Sequence, residues 1–205
     1  MIRQISLGLL FVLLVCMTAE AGKYNPTLSI GDQAPDWAGL KATTGKTQSL
    51  ADSKARQVVV IVFTTNSCLY SKDYEQRLNL FVEKWKGQSV SLIAINSNTG
   101  RNDQMPQMIE RAKQSEFQFP YLYDETQEIA KQYGATYTPE FFVLDKNRRI
   151  VYMGAMDDAT DAEKVTISYV DQAVEAALAG KLPEHQEIPA RGCAIRYNRR
   201  RREPK

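Results

Sequence analysis

The run Val58-Val-Val-Ile-Val-Phe-Thr-Thr-Asn-Ser-Cys68-Leu-Tyr-Ser-Lys72 constrains this chain more than any other stretch. It opens with an apolar, largely β-branched segment of strand length. A short polar turn follows, and then a cysteine where a helix begins. Beyond it, Tyr70, Tyr74, Leu78, Phe81, Val82 and Trp85 recur at helical steps, and Gly87 ends the pattern. A thiol at a helix N-terminus meets the positive end of the helix dipole and unpaired backbone N–H groups, both of which favour the thiolate. A cysteine can also serve as a small buried hydrophobe. The strand–turn–cysteine–helix setting favours a reactive Cys68.

The same alternation continues along the chain. Residues 90–95 have the composition of a strand, 105–117 of a helix with Pro106 in its first turn, and 121–123 of a short extended piece. Residues 126–133 predict a short helix closed by Gly134. Phe141-Phe-Val-Leu144 and Ile150-Val-Tyr-Met153, joined by Asp145-Lys-Asn147-Arg, predict a β-hairpin. Residues 161–179 predict a last helix, stopped by Gly180. Strands and helices in this order predict an α/β fold: a mixed sheet, parallel in its first half, with helices on both faces.

Residues 1–21 have the pattern of a secretory signal: Arg3, an apolar core from residue 5 to 17, and the small-x-small site Ala19-Glu-Ala21. The mature chain would begin at Gly22, with no stable membrane insertion after cleavage. A lipoprotein anchored through Cys16 is the weaker reading, because Val15 is large for the residue before a lipidated cysteine. Cleavage leaves Cys68 and Cys193, one disulfide or two free thiols, in a compartment where disulfides persist. The domain is expected to span 22–182, followed by a C-terminal extension, 183–205, with a basic end. A net charge of +2 and the absence of any nucleic-acid motif exclude a case for nucleic-acid binding. The single histidine, His185, is expected at the surface, and it leaves no material for a His-based metal site or catalytic triad.

Four segments, taken in order, resemble the thioredoxin-like redoxins of the alkyl hydroperoxide reductase and thiol-specific antioxidant superfamily. They are Gly31-Asp-Gln-Ala-Pro35-Asp-Trp37; the turn from Phe63 to Lys72; Phe119-Pro-Tyr-Leu-Tyr-Asp124 through Thr138-Pro139-Glu-Phe-Phe; and Gly192-Cys193-Ala-Ile-Arg-Tyr. The resemblance implies a thioredoxin-like fold with Cys68 as the attacking cysteine, and no metal or organic cofactor. Ser71 stands where thioredoxins carry their second thiol, making this a single active-site cysteine variant. The resemblance also implies that Thr138-Pro139 is the cis-proline turn facing the cysteine, offering the Thr138 backbone to a substrate segment.

Within that family several activities fit. Thiol–disulfide exchange is the leading one. It would act on protein thiols or disulfides and draw on an external thiol donor. Thr65-Asn-Ser-Cys68 matches the Thr-x-x-Cys of peroxiredoxins, whose threonine positions the peroxide, although Ile61 replaces the proline expected before it. Cys68-Leu-Tyr-Ser71 is compatible with a monothiol, glutaredoxin-like role. A module that binds partner proteins beside Pro139 without catalysis is the alternative of a different class. Cys193 decides which cycle is open: it resolves oxidised Cys68 if the C-terminal segment folds back, and is a free or intermolecular thiol if it does not.

Overall fold

A computed structural model describes residues 22–198. Ten strands and four helices occur among them: β1 (Leu40–Ala42), β2 (Thr47–Gln48), β3 (Val58–Thr64), α1 (Leu69–Lys84), β4 (Val90–Asn96), α2 (Met105–Gln114), β5 (Tyr121–Tyr123), α3 (Glu128–Gln132), β6 (Tyr137–Thr138), β7 (Glu140–Leu144), β8 (Ile150–Gly154), α4 (Tyr169–Leu178), β9 (Glu187–Ile188) and β10 (Cys193–Ala194). Eight strands form one sheet in the order β2-β1-β5-β4-β3-β7-β8-β9. The central β3, β4 and β5 are parallel, and β7 and β8 run antiparallel beside them.

The sheet divides the core in two, and β3 lies at its centre with every residue buried. Val58, Val60 and Val62 face Leu78 and Phe81 of α1, Trp85 at its C-cap, Met108 of α2 and Val170, Ala173 and Val174 of α4. Val59, Ile61 and Phe63 face Leu28, Trp37, Ala130 and Tyr133 on the opposite side. This period-2 alternation on a strand buried on both faces explains the unbroken apolar run, and α3 covers the second face. The expected mixed α/β sheet with helices on both faces is the observed architecture.

Several local expectations are corrected. The turn around Gly45 closes a hairpin, β1–β2, that extends the sheet edge by pairing with β5. The last helix begins at Tyr169, not at residue 161. A single 3-10 turn occupies Ala162–Lys164, and the β-branched residues 165–167 stay extended while Asp158 accepts the N–H groups of Thr166 and Ile167 at 2.9 and 3.1 Å. The helix α3 is shorter than the pattern because Gln127 lies in the left-handed region, φ 64°. His185 is half-buried, with its ring centroid 5.2 Å from that of Tyr169.

Beyond Pro183 the chain returns to the domain. β9 joins the sheet in parallel with β8, and β10 pairs with β6 in a separate two-stranded ladder. A Cβ at Gly154, φ 130°, would overlap the backbone of Ile188, so β9 lies this close only because position 154 is glycine. The expected signal segment 1–21 and the basic end 199–205 lie outside the described residues.

Candidate redox site

Cys68 is the N-cap of α1, with extended backbone (φ −95°, ψ 127°), and it is completely buried. The first turn of α1 holds no acidic residue, so its positive end faces Cys68 unopposed. The turn between β3 and α1 is held from beneath by Asp103, which is 1% exposed. One of its oxygens accepts from Thr65 Oγ1 (2.5 Å), the Asn66 N–H (2.8 Å) and Asn96 Nδ2 (3.0 Å). The other accepts from Ser67 Oγ at 2.5 Å. Asn98 Nδ2 and the Ser67 N–H in turn donate to Thr65 Oγ1, at 3.1 and 3.2 Å. A buried carboxylate satisfied by this many donors fixes the loop in one conformation.

The C-terminal segment closes over this turn. Cys193 forms a disulfide with Cys68, the two Cα atoms being 5.8 Å apart across a sequence separation of 125. β10 reaches that position by pairing antiparallel with β6, Cys193 opposite Thr138 and Ala194 opposite Tyr137. The Thr138–Pro139 bond is cis, as the resemblance implies. The Thr138 carbonyl oxygen lies 3.1 Å from Cys68 Sγ, and its hydroxyl donates to the Cys193 carbonyl at 3.3 Å. Thr65, Cys68, Thr138, Pro139 and Cys193 are thus brought together at one end of the sheet. Ser71 is also buried there, one helical turn along α1, and its Oγ has no hydrogen-bond partner among the described residues.

Four further residues hold the segment after Cys193, and sequence reasoning did not single them out. The Ile195 N–H donates to Thr136 O (2.9 Å), and the Arg196 N–H donates to Asn98 Oδ1 (3.3 Å). Gln127 Nε2 donates to Arg196 O at 3.0 Å, and Gln127 Oε1 accepts the Asn198 N–H at 2.7 Å. Tyr197 Oη donates to Ala135 O at 2.6 Å. Gln127 is therefore a buried clamp for the returning chain, a use consistent with its unusual backbone conformation. No motif marks it; only the fold brings it opposite residues 196–198. A cavity of about 410 Å³ lies between this strap and the turn, lined by Thr65, Ser67, Cys68, Asn98, Cys193 and Arg196 among others.

Glu140 follows the cis-proline and is buried beneath β6. Its Oε2 accepts the N–H groups of Thr136 and Tyr137 at 2.8 and 2.9 Å. Burial pushes its carboxyl above the ordinary carboxylate range, and the two N–H bonds oppose that shift only in part. The folded protein therefore keeps this proton at pH values where the unfolded chain has lost it. Stability contributed at this position falls as pH rises from the ordinary glutamate pKa through the raised folded value. Glu140→Gln keeps an oxygen for both N–H groups and has no charge to bury. It is expected to remove that part of the decline and to be more stable than the parent at neutral pH, as read from urea midpoints between about pH 4 and 8.

A buried cysteine at the N-cap of the first long helix, facing a cis-proline turn across a mixed sheet, defines a thioredoxin-fold protein. The match to the AhpC/TSA family spans residues 30–153, and the chain belongs to that family. Two solved structures are similar over most of its length. A hypothetical protein from Sinorhizobium meliloti 1021 is 32% identical with a TM-score of 0.78, covering 85% of this chain and 97% of that one. An uncharacterized conserved protein from Geobacillus kaustophilus is 34% identical with a TM-score of 0.78, covering 85% and 95%. A putative thiol:disulfide interchange protein DsbE from Chlorobium tepidum, 24% identical, shares the fold with a TM-score of 0.62 over 74% of this chain and 99% of that one. No functionally curated protein matches. Among the described residues no helix is long and apolar enough to cross a membrane.

Proposed function

We propose that this protein is an exported thiol–disulfide oxidoreductase that cycles between the Cys68–Cys193 disulfide and the dithiol. The observation that carries the proposal is that disulfide. The thiol missing from the Cys68-Leu-Tyr-Ser71 motif is supplied by the C-terminal segment, at bonding distance from the helix N-cap. Cys68 is the nucleophile and Cys193 the resolving thiol. In the reduced protein the Cys68 thiolate attacks a partner disulfide, forming a mixed disulfide and expelling one partner thiolate. Cys193 then attacks Cys68 Sγ, closing the internal disulfide and releasing the second partner thiol. Two electrons pass to the partner, and the two protons released by the protein thiols balance those its thiolates take up.

Regeneration needs an external thiol donor. Cys193 is the more accessible of the two sulfurs, Cys68 being wholly buried, so the donor attacks Cys193 and expels Cys68. The departing thiolate sits at the N-terminus of α1, which stabilises it. Export rests on the sequence of residues 1–21.

A peroxidase has Thr65-x-x-Cys68 in its favour. Against it, the Thr65 hydroxyl already donates to Asp103 and accepts from two other groups, so its proton is not offered to a peroxide. In the exchange reading Thr65 positions the loop. Thr138 and Pro139 form the wall against which a partner segment lies.

Reduced Cys68 is expected to be alkylated by iodoacetamide with a midpoint below pH ~8.5, followed by mass spectrometry of its peptide. The wild-type protein is expected to reduce insulin disulfides and Cys68→Ser to have no activity. A normal thiol midpoint together with activity in Cys68→Ser would sink the reading. Faster consumption of peroxide than of disulfide, with the same donor, would replace it with the peroxidase.

A further inference from the structure

β6 belongs to no other sheet: among the described residues its ladder partner is β10 alone. The backbone of Thr138, beside the reactive sulfur, is thus occupied by the protein's own chain. The occupying segment is extended, and its side chains alternate. Ala194, Arg196 and Asn198 are exposed, whereas Cys193, Ile195 and Tyr197 point inward. Ile195 is 7% exposed and belongs to the core cluster around Phe63 and Tyr133. At Gly192 a Cβ would overlap the Thr138 carbonyl and come within 2.7 Å of its carbon and 3.3 Å of Pro139 Cδ. Most of the remaining contacts are to backbone atoms, from Thr136, Asn98 and Gln127, and any residue could make them.

We propose that residues 192–197 are an internal copy of the partner's binding segment, and that the protein acts on polypeptides presenting a cysteine in the pattern Gly-Cys-x-Ile-x-Tyr. The proposal rests on thiol exchange at Cys68. Backbone contacts supply affinity for an extended chain, and three positions supply selection. Only glycine fits before the cysteine, a branched aliphatic residue fills the pocket two residues after it, and a hydroxyl two further on reaches Ala135 O. The rim favours a polypeptide over a small thiol: Leu69 and Tyr70, which follow Cys68 in the chain, and Tyr137, opposite Ala194 in the ladder, are exposed by 72, 41 and 42%. In the mixed disulfide the partner's sulfur takes the place of Cys193. Return of residues 192–197 to the groove then breaks that bond and expels the reduced partner in one movement.

The test uses reduced full-length Cys193→Ser and the peptide Arg-Gly-Cys-Ala-Ile-Arg-Tyr, its cysteine carried as the mixed disulfide with thionitrobenzoate. Cys68 attacks the peptide sulfur, and thionitrobenzoate release is followed by absorbance. The parent peptide is expected to react roughly tenfold or more faster than versions with Gly→Ala or Ile→Asp. Reduced wild-type protein should give the same ranking, which covers the case in which Cys193→Ser folds poorly. Equal rates for the three peptides, with Cys68 still reactive, would overturn the binding pattern and leave thiol exchange standing. If Cys68 reacts with neither the peptides nor dithionitrobenzoate, the underlying reading of Cys68 fails instead.

Discussion

Cys193→Ser is expected to stop catalytic turnover of disulfides while leaving Cys68 able to form a single, persistent mixed disulfide. Among the described residues no further thiol can resolve that adduct, because Ser71 stands at the position of the usual second cysteine, and a hydroxyl cannot do so. The same substitution changes stability. Closing a loop across the 125 residues between Cys68 and Cys193 restricts the unfolded chain by about 5 kcal/mol on the chain-entropy account. For a domain of this size that corresponds to a fall in Tm on the order of 10–20 °C, for Cys193→Ser and for reduced wild type alike. Calorimetry of the oxidised protein, the reduced protein and the variant checks this. Equal Tm values in all three would mean that the disulfide does not form in solution, and the proposed cycle would lose its resolving thiol.

The second large effect is expected at Asp103. Asp103→Ala removes the acceptor for the Thr65 and Ser67 hydroxyls, the Asn66 N–H and the Asn96 side-chain amide. A buried donor left without a partner costs about 1–3 kcal/mol, and with water refilling part of the space the total is expected at about 3–5 kcal/mol. The turn from Thr65 to Cys68 loses its support at the same time, so alkylation of Cys68 should lose its low-pH midpoint even where the variant remains folded. Asp103→Asn retains one acceptor oxygen and should lie between the two. A loss below about 1 kcal/mol, with unchanged Cys68 reactivity, would show that the hub does not hold the loop.

Much of the central architecture was legible because it obeys local rules. The apolar run of β3, the helical steps of α1, and the hairpin of β7 and β8 each carry their own periodicity. Errors arose where a distant group overrides the local pattern. Asp158 captures the backbone of Thr166 and Ile167 and delays α4, and Gln127 leaves helical geometry to hold residues 196–198. In the sequence Asp103 is one of several polar residues in the run 96–104. Nothing near it in sequence marks a carboxylate that serves a turn 36 to 38 residues away. The strands β1, β2, β6, β9 and β10 are too short to show a periodicity of their own.

By itself the sequence determined the class of fold, the family and the position of Cys68 at a strand-to-helix turn, because each depends on residue types at short, fixed spacings. It also determined that the usual second thiol is absent, since Ser71 is read directly. Which residue faces Cys68 across the turn was decided only by the tertiary structure. That answer depends on an antiparallel pairing between residues 193–194 and 137–138, on a glycine thin enough to pass the Thr138 carbonyl, and on an isoleucine that finds the far face of the core. Each is a contact between segments distant along the chain, and geometry alone can bring two sulfurs within bonding range across that distance.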